Sequence, residues 1–249
     1  FSPDATKDYL RSFDKAFGNS NYGIRSFFND SYEVYNADWT AGFKDEFKKR
    51  RGYDLSPYIK YLVSDNESEI AGRIKSDYRE TMSELILHNF TEKFTNWAHS
   101  KKSNNTNQAH GSPGNLLDLY AAVDIPESET FGSTKFDIEG LKRNVEDINT
   151  KEVPDINMLK FASSAANVMG KRLISNESFT WLTEHFKTSW SQVKPEAEQI
   201  FLSGINHIFY HGTAYSPPGE PWPGWLFYAA VHLNPRNPLW KDVNALNKY

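Results

Sequence analysis

Glu177 lies in the stretch SNESFTW (175–181), behind the apolar Leu173 and Ile174 and ahead of two aromatic residues. No Lys or Arg falls between Ile174 and Phe186, so nothing nearby in sequence pairs with its carboxylate. Other acids also follow short apolar runs: Glu33 after Ile24 to Phe28, and Asp124, Glu127 and Glu129 around Pro126. Carboxyl groups held at strand ends in one pocket can do acid–base work without a cofactor. Cleavage of a glycosidic bond is such a reaction. One carboxyl group protonates the leaving oxygen, and a second activates water or attacks carbon. Acids at strand ends also cap helices and form salt bridges, so each has a structural reading beside the chemical one. The Asp124, Glu127 and Glu129 set offers the hard oxygens that Ca²⁺ favours, although its spacing is not that of an EF-hand. A solvated loop is the alternative there.

Other chemistries lack their residues. The 249-residue chain has no cysteine, which excludes disulfides, thiolate metal sites and cysteine nucleophiles. Its seven histidines form no HExxH motif, and no GxSxG, GxxxxGK[ST] or post-strand GxGxxG occurs. A formal net charge of -4, with no basic stripe, argues against nucleic acid. No apolar run approaches the length of a membrane span. Aromatic residues are 15% of the chain, and Trp222, Trp225, Phe227, Tyr228 and Trp240 crowd a Pro-rich tail. They suit a platform for sugar rings as well as they suit a core. His110 and His211 are candidates for hydrogen bonds to sugar hydroxyls.

The elements that must position these residues follow from periodicity. Ser2-Pro3 starts a helix that Gly18 stops. Ile24 to Phe28 reads as a strand, and Trp39, Phe43 and Phe47 as a helix ending at Gly52. Ser56-Pro57 starts another short helix. The stripe from Ile70 to Trp97 predicts one amphipathic helix, roughly Glu67 to His99. LYAAVDIPE (119–127) reads as a buried strand that breaks at Pro126, and residues 127–154 as a long loop or insertion. A helix is expected from Asp155 to Met169, then a strand RLIS (172–175) that delivers Glu177. Another helix is expected from Pro195 to Ser203, then a strand INHIFYHG (205–212). No internal repeat is visible.

Strands alternating with helices predict an α/β fold with a parallel sheet. Polar residues gather after the strands, as on the catalytic face of a (β/α)8 TIM-type barrel. Only about five strands are visible, so the barrel is expected to be incomplete, a single catalytic region spanning residues 1–249. The chain opens on Phe1, which reads as an excised or processed piece of a longer protein. A barrel short of strands has open edges, and is expected to be weak or inactive by itself.

Four blocks carry a resemblance: FFNDSYEVYNADWT (27–40), NQAHGSPGNLLDLYAAVDIPESE (107–129), FASSAANVMGKRLISNESFTWLTEHF (161–186) and SGINHIFYHGTAYSPPGEPWPGWLFYAAVHLNPRNPLW (203–240). They are similar to the catalytic region of glycoside hydrolase family 106, the α-L-rhamnosidases, over about residues 1–240, least well at 130–153. The resemblance implies a (β/α)8 barrel within a larger multidomain protein, with β-sandwich modules around it. It implies hydrolysis of terminal α-L-rhamnose with inversion, and a calcium ion at the sugar. It implies Glu177 as general acid and Glu33 as the base that activates water. Glu127 or Glu129 is implied as the calcium or sugar contact, with Asn107, His110, Asp124 and His211 in the sugar pocket. A general acid must hold its proton, which an apolar wall such as Phe179 or Trp181, or a nearby carboxylate, would favour. Trp181 and Trp222 are the aromatic candidates for sugar contact. Among bacterial scavengers of plant or microbial glycans, such enzymes are expected in the periplasm or outside the cell. Two rival readings stay open: a non-catalytic carbohydrate-binding barrel, and a retaining glycosidase of related fold, which the Asn176-Glu177 pair also suits.

Overall fold

The computed structural model describes residues 1–249 except 19, 21, 66, 135, 137, 138, 140–153 and 184. The chain divides into two compact units, Phe1–Pro126 and Glu127–Tyr249.

The first unit opens with α1 (Pro3–Phe17), capped by the Ser2 hydroxyl, which accepts from the Ala5 N–H. β1 (Ser26–Asn29) follows, then α2 (Phe43–Arg51) and a single-turn α3 (Ile59–Leu62). The long apolar stripe forms α4 (Glu69–Ile86), a π turn (Leu87–Thr91) and α5 (Glu92–Ser100) in unbroken succession. The predicted single helix is therefore present, with a π segment inside it. β2 (Asn104–Gln108) lies parallel to β1, pairing Phe28 with Thr106 and Asn29 with Asn107. One core gathers Phe43, Phe47, Leu55, Ile74, Met82 and Leu85, and a second Leu10, Phe27, Phe94 and Ala98.

The stretch expected as a buried strand from Leu119 is instead α6 (Leu116–Ala121), started by the Asn115 side chain accepting from the Leu117 N–H. The strand comes later, as β3 (Ile125–Phe131), and passes through Pro126 rather than breaking there. Pro at the second residue of a strand forfeits only one ladder donor. β3 takes up the first five residues of the stretch 127–154 that polarity assigned to a loop or insertion. Residues 135, 137, 138 and 140–153 of that stretch lie outside the described residues.

In the second unit β3 pairs parallel with β4 (Ser175–Thr180), and β4 pairs parallel with β5 (His207–Tyr210). Between them run α7 (Ile156–Val168) and α8 (Trp190–Leu202), and α9 (Val243–Lys248) closes the chain. α8 starts five residues before the expected Pro195. Ser189 is its N-cap residue, and the Ser189 N–H donates to Gln192 Oε1 at 3.0 Å.

The class is α/β and every resolved pairing is parallel, but the described residues do not form a complete (β/α)8 barrel. The described residues hold five strands, not eight. The strands are short and polar: NNTNQ, IPESETF and SNESFT are buried almost throughout. Parallel strands covered on both faces usually read as Val, Ile and Leu runs. Here side-chain hydrogen bonds take that place. Ser26 Oγ meets Thr106 Oγ1 at 2.6 Å, and Ser128 Oγ donates to Asn176 Oδ1 at 2.8 Å.

The segment after β1 is fastened to the segment after β2. The Tyr32 N–H donates to the His110 carbonyl at 3.1 Å. Gly111 has φ +78°, and a Cβ there would meet the Tyr32 carbonyl oxygen at 2.3 Å. Gly111→Ala is therefore expected to lower stability by about 1–3 kcal/mol, from backbone strain and collision together. A drop in the denaturation midpoint checks this; an unchanged midpoint contradicts the close approach.

Candidate active site

Glu177 sits in the middle of β4, not beyond its end. The register places Glu177 beside Glu129 of β3 on one side and beside Phe209 of β5 on the other. Partners in a parallel ladder point to the same face, and adjacent strands lie about 4.8 Å apart. Glu129 and Glu177 therefore stand side by side. Glu127 shares their face one row earlier, in line with Ser175 and His207. Ser175 Oγ and His207 Nδ1 close that row at 2.7 Å.

Adjacent acids need donors around them. Thr180 Oγ1 donates to Glu129 Oε1 at 2.6 Å. His211 Nε2 lies 3.9 Å from Glu177 Oε1, the distance of an ion pair rather than a full hydrogen bond. The main chain holds His211 there, since its N–H donates to the Ser178 carbonyl at 2.8 Å. Glu127 and Glu129 are buried, whereas the Glu177 side chain keeps 19% of its surface exposed. Of these three acids Glu177 is the one a solute can reach.

The backbone after Glu177 is strained. Phe179 and Trp181 have φ of +76° and +51°, a region bulky residues rarely enter. They bracket Thr180, the residue whose hydroxyl serves Glu129. Phe179 packs on Tyr210 at 5.6 Å and Trp181 on Tyr228 at 5.4 Å. Trp222 is largely exposed and stands 5.7 Å from Phe186. His232 is buried against Phe186 and His185. Desolvation and the nearby His185 hold it below the usual histidine range, against the pull of the Phe227 carbonyl.

The remaining candidates lie in the first unit. Glu33 is exposed, one residue beyond the fastened Tyr32. Burial pushes the Tyr32 phenol up to about 12, against hydrogen bonding from the Thr91 and Asn107 side chains. Asn107 is buried near the end of β2, with its side chain beside the Tyr32 phenol. His110 is buried and lends its carbonyl to Tyr32. Asp124 takes a different part. It pairs with His99 at 2.8 Å and accepts the Asn105 N–H at 2.8 Å, tying the end of α5 to the start of β2.

Residues 4–249 match the family model described as alpha-L-rhamnosidase, glycoside hydrolase family 106. The chain belongs to that family. A curated relative, a putative beta-glucuronidase of Formosa agariphila, is 28% identical over a 226-residue match that covers 88% of this chain and 18% of the relative. The solved rhamnosidase of Novosphingobium sp. PP1Y superposes with a TM-score of 0.66 at 21% identity, over 91% of this chain and 22% of that one. At that identity the likeness shows the fold. The chain spans about a fifth of the length of either protein. Among the described residues, no helix of this family member is long and apolar enough to cross a membrane.

The calcium implied by the family resemblance can be tested against the donors. Calcium takes six to eight oxygens. Glu127 and Glu129 share a face, yet Thr180 already occupies one Glu129 oxygen. Among the described residues no three His, Asp or Glu side chains converge as a metal would need. Glu127 and Glu129 would be the side chains to hold such an ion, and no step is derived through it.

Sequence reasoning about the family's residues missed two things. One is the pairing of Glu129 with Glu177, which only the register reveals, although the alternation in Glu127-Ser128-Glu129 shows that two acids share a face. The other is Thr180, which no spacing marks. The register itself hangs on Asn176, which is buried and bonds the Ser128 and Ser178 hydroxyls. Asn176→Ala orphans buried groups at about 1–3 kcal/mol each. It is expected to lower both the melting temperature and turnover; thermal unfolding unchanged from wild type contradicts this.

Proposed function

We propose that the protein is a glycosidase that removes terminal α-L-rhamnose from glycans by a two-carboxylate mechanism, with Glu177 as general acid. The observation that carries the reading is the site of Glu177 itself. A family member places one reachable carboxyl group beside a buried one, Glu129, and within 3.9 Å of a histidine. A neighbouring negative charge favours the protonated form of a carboxyl group, which is what an acid catalyst needs. In the forward step Glu177 gives its proton to the glycosidic oxygen as the bond to the anomeric carbon breaks. The leaving group departs as an alcohol.

Water then adds to the anomeric carbon and gives its proton to a second carboxylate. By family resemblance that base is Glu33, and the outcome is inversion. The Tyr32–His110 hydrogen bond and the close approach of Gly111 would hold the Glu33 backbone for this work. A periplasmic or secreted bacterial protein with further domains belongs to the same reading, with a rhamnose-containing carbohydrate as its substrate.

A general acid is worth most when the leaving group is poor, and its loss typically costs about 10²–10⁴-fold. In the intact protein, Glu177→Gln is expected to lose that much kcat/KM on an alkyl α-L-rhamnoside. It should lose far less on the 4-nitrophenyl glycoside, whose leaving group needs little protonation. Equal losses on both substrates would remove Glu177 from the acid role. Unchanged activity on both would place the acid on another residue, and no cleavage of either substrate by the wild type would leave a carbohydrate-binding barrel as the better reading.

A further inference from the structure

His211 is the first residue of a continuous path from Glu177 to the surface of the second unit. Its imidazole meets the Phe227 ring edge-on at 5.5 Å. Phe227 touches Tyr228 at 4.7 Å, and Tyr228 touches Trp181 at 5.4 Å. Trp181 returns the path to β4, four residues beyond Glu177. Yet Tyr228 is 67% exposed and Phe227 42% exposed, although the hydrophobic effect favours burying rings of this size.

The rings are not on a loose loop. The Trp181 N–H donates to the Ala229 carbonyl at 2.9 Å, and the Ala230 N–H donates to the Phe227 carbonyl at 3.0 Å. Ala229, Ala230, Val231 and His232, the four residues that follow Phe227 and Tyr228, are buried. An exposed aromatic surface on a fixed support, joined by contact to a carboxyl group that gives protons, is suited to a flat-faced ligand.

We propose that Phe227, Tyr228 and Trp181 form the leaving-group subsite of Glu177, a shelf on which the next pyranose ring of an oligosaccharide stacks. This rests on the glycosidase reading above. The apolar C–H face of a pyranose lies against the rings, and its bridging oxygen is presented to Glu177. Binding energy gathered there, away from the bond that breaks, orients the glycosidic oxygen for protonation. The substrate class is then rhamnosyl oligosaccharides rather than simple alkyl rhamnosides. His211 is a positioning residue between the shelf and the acid.

The test compares kcat/KM for a rhamnosyl disaccharide with that for methyl α-L-rhamnoside, in the intact wild-type protein and in Tyr228→Ala. The ratio of the two is expected to fall about tenfold or more in the variant, mainly through KM for the disaccharide, and Tyr228→Trp should restore it. An unchanged ratio would assign the patch to contact with another part of the protein and overturn the subsite. A calorimetric titration of a rhamnosyl oligosaccharide into wild type and Tyr228→Ala separates this proposal from the reaction it rests on. If wild type cleaves no rhamnoside, the glycosidase reading fails by itself. Binding weakened tenfold by the substitution would then still support the shelf, and equal affinity would overturn it.

Discussion

The constraint on which this structure depends is that buried polar strands must find their hydrogen bonds inside the protein. β2, β3 and β4 bury Asn, Ser, Thr and Glu where such strands usually bury aliphatic side chains. An unpaired polar group in that setting costs more than a satisfied one returns. Ser128 with Asn176, Asn105 with Thr95, and the Phe179 N–H with Thr130 are therefore conditions of the fold. The same bonds fix register. A slip of one residue between β3 and β4 would turn Glu177 to the opposite face from Glu129 and break the Ser128–Asn176 bond. Stability and the pairing of the two acids have one origin.

What could be read in the sequence follows from the same point. Helices with apolar stripes were legible: α1, the run from α4 to α5, and α7 all lie close to their expected positions. β1 and β5 contain enough Phe, Ile and Tyr to show as strands. β2 has no apolar residue at all, and β3 has only Ile125 and Phe131 beside Pro126, so hydropathy passed over one and placed the other too early. The Leu119–Ala122 run that drew the strand assignment belongs to a short helix and its end, because the Asn115 side chain can cap it.

The candidate site divides along similar lines. Glu177 stood out for its residue type and its surroundings. Its neighbours did not, because parallel register is a property of two strands about fifty residues apart. Asp124 looked chemically equivalent to Glu127 and Glu129, yet it precedes β3 and is spent on His99 and the Asn105 amide. The strained Phe179 and Trp181 had no signature in sequence, since both residues ordinarily avoid positive φ. Strain of that kind gathers where a side chain has to be aimed, and here it flanks the hydroxyl that serves Glu129.

The central claim is that Glu177 faces the bond to be broken. A crystal structure of the intact protein soaked with L-rhamnose tests it most directly. The expected result is a sugar ring with its anomeric hydroxyl within hydrogen-bonding distance of the Glu177 carboxyl group, beside His211. A sugar bound elsewhere, with Glu177 untouched and turned away from it, would contradict the account.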